Sequence, residues 1–296
     1  IRHLVHHTSG LRDQWELLVL AGWRMDDVIT TDDVLALVAQ QQELNFPPGD
    51  EYLYCNTGYT LMAVIVERVS GMTFRQFCAQ RIFEPLQMAN THFHDDHTEI
   101  VKNRAYSYAP QADGYKHAVL SYATAGATSL FTTVADLAAW EENFYSAQVG
   151  GERVMEQMHQ QGVLNNGEEL EYAFGINIGN YRGVTAISHS GGDAGYRSYL
   201  MRIPEHHFSV AILGNLSTLN PGKLARQVVD LYLGEQLDAV EGTAKVTPSL
   251  LSPTQLAAKA GLYYNAQRAE TYRLEIRADK LVVVSGPGFD LEPLSG

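Results

Sequence analysis

Apolar residues recur at helical spacing behind a series of hydroxyl and amide caps. Thr31 precedes "DDVLALVAQ", which places two acids in a first turn and predicts a helix over about 32–42. From Thr57, "TGYTLMAVIVERVSG" predicts a largely apolar helix that Gly71 can end, and Thr73 opens another through "FRQFCAQRIF" towards Pro85. Thr133-Val-Ala-Asp136 is a capping-box variant ahead of "LAAWEENFYS". Beyond Tyr172 the period shortens. "YAFGINIG", "VTAISHS", "YRSYLMRIP" and "FSVAILGN" are short β-type runs divided by Gly, Pro and polar turns, and "RIPEHHFSV" reads as a tight hairpin. Asn220-Pro221 starts a helix as N-cap and first residue, and Gly234 stops it.

The polar stretch "DAVEGTAKVTPSLLSPTQ" then predicts a linker over 238–252. After it, "AGLYYN", "TYRLEIRADKLVVVSG" and "FDLEPL" alternate as strands of a meander. Two or three hairpin strands are marginal alone, so this tail is expected to pack on the main domain or to continue further.

At 296 residues and 45% hydrophobic, the chain can bury one large core or a main domain with an appendage. The 21 Lys and Arg against 34 Asp and Glu give a formal charge of −13, which disfavours nucleic acid and anionic membrane surfaces. No apolar run approaches the roughly 20 residues of a membrane-spanning helix. Cys55 and Cys78 allow at most one disulfide and form no C-x-x-C pair. The chain begins at Ile1 within "IRHLVHHTSGL", which is expected to lie inside a longer protein.

"IRHLVHHTSGL", "FPPGDEYLYCNTGYTLMAVIVERVSGMTF", "GATSLFTTVADLAAW" and "ISHSGGDAGYRSYLMRIPEHHFSVAILGN" occur in that order. Together they resemble the class C β-lactamase, DD-peptidase and esterase-like serine hydrolase superfamily, from Ile1 to about Glu235. The resemblance implies an α+β, β-lactamase/transpeptidase-like fold: an antiparallel sheet flanked by helices, here lacking the N-terminal strands and the nucleophile helix. It divides the chain into a hydrolase domain over 1–237, the linker over 238–252 and a partial lipocalin-like β-barrel over 253–296.

Tyr54-Cys55-Asn56 matches the family's Tyr-x-Asn motif. The resemblance implies that Tyr54 is a general base once neighbouring cations lower its pKa, because an ordinary phenol near 10 is protonated at neutral pH. Asn56 would orient the substrate amide or the catalytic Lys. His189-Ser190-Gly191-Gly192 is similar to the third motif, Lys-Thr-Gly, in its His-x-Gly form. Glycines there let substrate approach the backbone, the Gly192 N–H would be an oxyanion donor, and His189 would support the field around Tyr54. Taken alone, "YLYCN" is also a turn with a packed Tyr, and "SHSGG" a Gly-rich turn. "HTSGL" reads as a structural turn, with His6, His7, Tyr196 and Arg197 structural or lining.

Two rival nucleophilic or metal chemistries are weaker. A Cys55 nucleophile paired with His189 needs an accessible, electropositive thiol, and the middle residue of Tyr-x-Asn should point away from both neighbours. His92-x-His94-x-Asp96-His97 has the spacing of metallo-β-lactamase-like zinc sites. No apolar strand precedes it and no second ligand cluster follows, so these are expected to be solvated loop residues without a functional metal site.

The family's acyl acceptor, the Ser of Ser-x-x-Lys, has no match, since no serine of this chain has Lys three residues on. The expectation is therefore a fragment of a serine hydrolase acting through an acyl-serine on an ester, amide, D-amino-acid peptide or β-lactam, needing no cofactor and meeting a small-molecule or peptide acyl substrate. A non-catalytic binding pseudoenzyme of the same fold is the alternative, and a zinc hydrolase the third reading. The family is often exported; nothing in this chain fixes a location or an oligomeric state.

Overall fold

The computed structural model describes residues 1–239, 252–265, 270–277, 280–283 and 290–291. They fall into two compact units, Ile1–Leu237 and Asp238–Gly296. In the first, chain order runs α1 (Arg2–Val5), α2 (Gln14–Leu20), α3 (Thr31–Ala39), α4 (Asn56–Ser70), α5 (Phe74–Cys78), β1 (His92–Phe93), β2 (Tyr108–Gln111), β3 (Gly114–His117) and β4 (Leu130–Phe131). It continues through α6 (Val134–Ser146), α7 (Gly151–Met158), β5 (Asn177–Tyr181), β6 (Val184–Asp193), β7 (Tyr196–Ile203), β8 (Phe208–Gly214) and α8 (Pro221–Leu233).

The helix starts follow from their caps. The predicted Thr31 cap is displaced by one: Thr30 accepts from the Asp33 N–H and the Asp33 carboxylate returns to the Thr30 N–H, so Thr31 is the first helical residue. Thr30 has the extended backbone and the three-residue spacing to Asp33 that the box requires. Thr73 with Gln76 forms a second box, and Asn220 caps α8 with Pro221 at its first position. At Thr133 only half of the box forms, because Asp136 turns instead to the Asn90 N–H and the Thr91 hydroxyl. Gly71 ends α4 in the left-handed conformation, φ 70°.

Strands β5, β6, β7 and β8 form an antiparallel sheet in that order. Alternation along β7 sends Met201 and Ile203 to one face and Arg202 to the other. The first face packs against α8, whose Ala225, Val229 and Leu233 recur every four residues and are buried with Val210 and Leu237. Each such Val or Leu contributes about 1.5–3 kcal/mol. On the opposite face Arg202 meets Glu141 of α6 at 3.3 Å, both buried. Helices therefore cover both faces of an antiparallel sheet, the expected α+β arrangement. The predicted strand from Tyr172 begins later, at Asn177, and Tyr172 itself makes only an isolated bridge to Asn177.

The second unit holds α9 (Pro253–Ala257) and an antiparallel meander of β9 (Gly261–Asn265), β10 (Glu270–Arg277), β11 (Lys280–Val283) and β12 (Asp290–Leu291), in the order β12-β11-β10-β9. Of the predicted linker over 238–252, residues 240–251 lie outside the described residues.

Candidate active site

The loop ahead of α4 is held against the turn at the chain's start. His7 accepts the Leu53 N–H on its carbonyl at 2.9 Å and the Cys55 N–H on Nδ1 at 2.9 Å. Accepting on Nδ1 leaves the proton on Nε2, which is buried without a partner among the described residues. Burial, aided by His189 and His6, holds this imidazole down to about 4, so it is neutral at pH 7. Its ring packs on Tyr54 at 4.0 Å, Tyr172 at 4.6 Å and Tyr59 at 5.1 Å between centroids. "HTSGL" is thus a turn that positions the Tyr54 loop. Gly10 at φ +72° lies so close to the Phe46 carbonyl that a Cβ would come within 2.1 Å of its oxygen.

Asn56 is fixed by Asp13. One Asp13 oxygen accepts the Asn56 N–H at 2.6 Å and the Asn56 side-chain amide at 2.8 Å, while the other caps α2 through the Trp15 N–H at 2.9 Å. Because a carboxylate only accepts, the amide nitrogen faces Asp13, which leaves the Asn56 Oδ1 as the acceptor of that side chain.

His189 lies on β6, one residue beyond the last pairing with β5, Asn177 with Ser188. From His189 to Asp193 the strand pairs only with β7 among the described residues. Ser190, Gly191 and Gly192 are exposed along it. His189 donates from Nδ1 to the Ser190 carbonyl at 2.6 Å and accepts the Tyr172 hydroxyl on Nε2 at 3.2 Å. The Tyr54 and His189 ring centroids are 6.2 Å apart. His189 also lines a cavity of about 130 Å³, together with Trp140, Phe144, Phe174, Leu200 and Arg202. The structure therefore brings the Tyr54 ring beside that of His189, while Asn56 follows Tyr54 by two residues at the start of α4.

The electrostatics depart from expectation. Desolvation, then the negative charges of Asp13 and Asp193, hold the Tyr54 phenol above its ordinary value, and the Tyr172 hydroxyl alone acts the other way. Tyr54 keeps 44% of its surface exposed. Among the described residues, the cations expected to lower this pKa are not among the groups acting on it. His189 is likewise held below its ordinary value by desolvation, so it contributes hydrogen bonds and shape rather than positive charge. Asp193, raised by desolvation, accepts from the Thr128 hydroxyl in the Gly-rich turn. That turn seats on α4 through Gly126, φ +113°, where a Cβ would lie 2.7 Å from the Tyr59 carbonyl oxygen.

Cys55 is 2% exposed, donates to the Leu11 carbonyl, and has its thiol pushed up by burial. It has neither the access nor the electropositive surroundings of a nucleophile. The expectation for the His92–His97 segment needs correction. Asp96 and His97 are exposed, but His92 is half-buried and His94 only 4% exposed. The reason is pairing: β1 lies against β4, and the His94 ring stacks on Phe131 at 4.3 Å. Asp13, Tyr172 and the positioning role of His7 were missed by the reading of sequence. Asp13 carries a local sign, an acid directly before a helix, whereas Tyr172 carries none.

The family model for Beta-lactamase matches residues 1–233. The chain is 28% identical over 230 residues to Penicillin-binding protein 4* of Bacillus subtilis (strain 168), covering 73% of this chain and 51% of that protein. It is 26% identical over 216 residues to a D-aminopeptidase of Cereibacter sphaeroides, covering 73% and 42%. The chain thus spans about half the length of these curated relatives. An octameric penicillin-binding protein homologue from Pyrococcus abyssi superposes with a TM-score of 0.70 at 24% identity, over 97% of this chain and 67% of the other. D-amino acid amidase from Ochrobactrum anthropi SV3 gives 0.58 at 21% identity, over 72% and 63%. With its β-lactamase/transpeptidase-like α+β fold, the chain belongs to the Beta-lactamase family of serine hydrolases.

Proposed function

We propose that these residues form the base and oxyanion part of an acyl-serine hydrolase whose nucleophile lies on a Ser-x-x-Lys segment outside the 296 residues. The observation that carries the reading is the placement of Tyr54 beside His189 and the open glycine edge of β6. The serine hydroxyl attacks the substrate carbonyl while the Tyr54 phenolate takes its proton, and the Gly192 N–H donates to the developing oxyanion. Tyr54 then returns the proton to the leaving amine, and water resolves the acyl-serine by the reverse sequence. Burial, and after it Asp13 and Asp193, make the phenol a reluctant acid, so the base needs a cation, and the Lys of the missing motif is its natural source. Asn56 offers Oδ1 to that ammonium or to the substrate amide. No step uses a metal or cofactor.

The names of the relatives, D-aminopeptidase and D-amino acid amidase, favour a D-amino-acid amide or peptide over a simple ester or a β-lactam. The 253–296 segment is proposed as part of a lipocalin-like barrel joined by a linker over 238–252. The second reading, a binding pseudoenzyme, is favoured by the raised Tyr54 phenol. The upstream coding region separates the two: Ser-x-x-Lys means enzyme, and its absence there means binding protein. In the protein that carries the motif, Tyr54→Phe keeps the ring and removes the phenol. It should lower kcat on a D-amino-acid amide by about 10²–10⁴, the range for a general base. Turnover within twofold of the parent would refute the role.

A further inference from the structure

Strand β1 and the residue that follows it carry two histidines on one side. His92 and His94 are two residues apart in extended chain and so point the same way, while Phe93 points opposite, packing on Phe74 at 4.5 Å. The His94 N–H donates to the Ser129 carbonyl at 2.8 Å, which extends the pairing with β4. The chain then turns back through Asp96, whose carboxylate accepts the Thr98 N–H at 2.9 Å and hydroxyl at 2.6 Å, and Glu99 returns to the histidines. Arg75 grips Glu99 through two hydrogen bonds of 2.6 and 3.0 Å.

Both ring nitrogens of His94 and the Nε2 of His92 are buried with no hydrogen-bond partner among the described residues. Such groups are costly unless something else meets them. One nitrogen of each histidine and a Glu99 oxygen lie within 4.8 Å of one another. His94 Nδ1 stands 3.8 Å from Glu99 Oε2, too far for a hydrogen bond. Bonds of about 2.0–2.1 Å to one tetrahedral ion would place neighbouring ligand atoms roughly 3.3–3.5 Å apart, within a small adjustment of this geometry.

We propose that His92, His94 and Glu99 bind one divalent cation of the zinc class, with water completing the coordination. Two imidazoles and a carboxylate suit zinc and its transition-metal neighbours better than calcium or magnesium, which prefer all-oxygen sites. Arg75 orients the carboxylate from outside, and each Glu99 oxygen keeps a second lone pair for the metal. Asp95, 3.2 Å from Arg75, offsets part of the guanidinium charge that would oppose a cation. Asp96 is committed to its turn and His97 is exposed, so neither belongs to the ligand set. The ion would tie the 94–99 turn to the β1–β4 pair.

The test uses the 296-residue chain without a polyhistidine tag, stripped with chelator and titrated with zinc chloride against a chromophoric zinc indicator. One equivalent should bind, and saturating zinc should raise Tm. His92→Gln and His94→Ala should each abolish the equivalent, Glu99→Gln should weaken it at least tenfold, and His97→Ala should leave it intact. Circular dichroism checks each fold. If His94→Ala fails to fold, His92→Gln and the exposed-site Glu99→Gln decide. Absence of a stoichiometric equivalent in the parent, its survival in both His92→Gln and Glu99→Gln, or its loss in His97→Ala would overturn the site.

Discussion

Arg202 offers a quantitative test of how the sheet is joined to α6. Its guanidinium is 3% exposed, pairs with Glu141 at 3.3 Å, donates to His159 Nε2 at 3.1 Å and lies 3.6 Å from the Phe144 ring centroid. Among the described residues Glu141 has beyond this only the Ser209 hydroxyl, at 3.3 Å. Burial dominates both partners, pushing the Glu141 pKa up and that of Arg202 down. The pair therefore costs more in desolvation than its members regain, yet each member depends on the other. Arg202→Met keeps much of the volume and strands Glu141, so it should lower stability at pH 7 by about 3–5 kcal/mol. Replacing both, as Arg202→Met with Glu141→Leu, should return to within about 1–2 kcal/mol of the parent.

The pH dependence has a definite sign. The folded-state pKa of Glu141 lies above its ordinary value of 4.5. As pH rises the unfolded chain loses this proton first, so stability from the neutral carboxyl is present below that value and lost as pH climbs through the folded pKa. Removing Arg202 takes away the main influence holding that pKa down and extends the window upward. The deficit of Arg202→Met should therefore shrink between pH 7 and pH 5. Urea midpoints at several pH values, read by circular dichroism, measure this. A deficit below about 1 kcal/mol, or one unchanged with pH, would refute the reasoning.

Asp13→Ala removes the acceptor for the Asn56 N–H, the Asn56 amide and the Trp15 N–H, so it should cost about 2–3 kcal/mol in urea and loosen the Tyr54 loop. A cost under about 0.5 kcal/mol would show that Asp13 does not organise that loop. Burial pushes the Cys78 thiol up to about 12 and also raises Cys55, so native protein at pH 8 should resist alkylation while urea-unfolded protein takes two labels. Rapid native labelling of Cys55 would reopen its candidacy as a nucleophile. Cys55→Ser should leave hydrolysis by the Ser-x-x-Lys-bearing protein nearly unchanged, since the residue faces the Leu11 carbonyl.

The sequence showed best what is decided within one helical turn or one strand. Thr73, Thr133 and Asn220 announce their helices because a cap and its partner lie three residues apart. The hairpin at Pro204 was legible for the same reason. Helix α7 and the β2–β3 hairpin carried weaker local signs and were not foreseen, and the chain continues from α5 into a π-helical turn at Ala79–Phe83. Tyr54, Asn56 and His189 stood out only through motif resemblance. Their neighbours did not, because Tyr172 reaches His189 from 17 positions away and His7 reaches Cys55 from 48. The burial of His94 depends on Phe131 and Ser129, far along the chain, so the segment looked like an ordinary polar loop.

On the proposed reading this chain carries a base and an oxyanion strand, and the acyl acceptor lies on a Ser-x-x-Lys segment outside it. Intact-mass spectrometry after incubation with an activated D-amino-acid ester tests it most directly. Residues 1–296 alone should show no added acyl mass, whereas the protein bearing Ser-x-x-Lys should gain one acyl group on that serine. A stable adduct on the 296-residue chain, mapped to Cys55 or to any serine between Ser9 and Ser295, would contradict it.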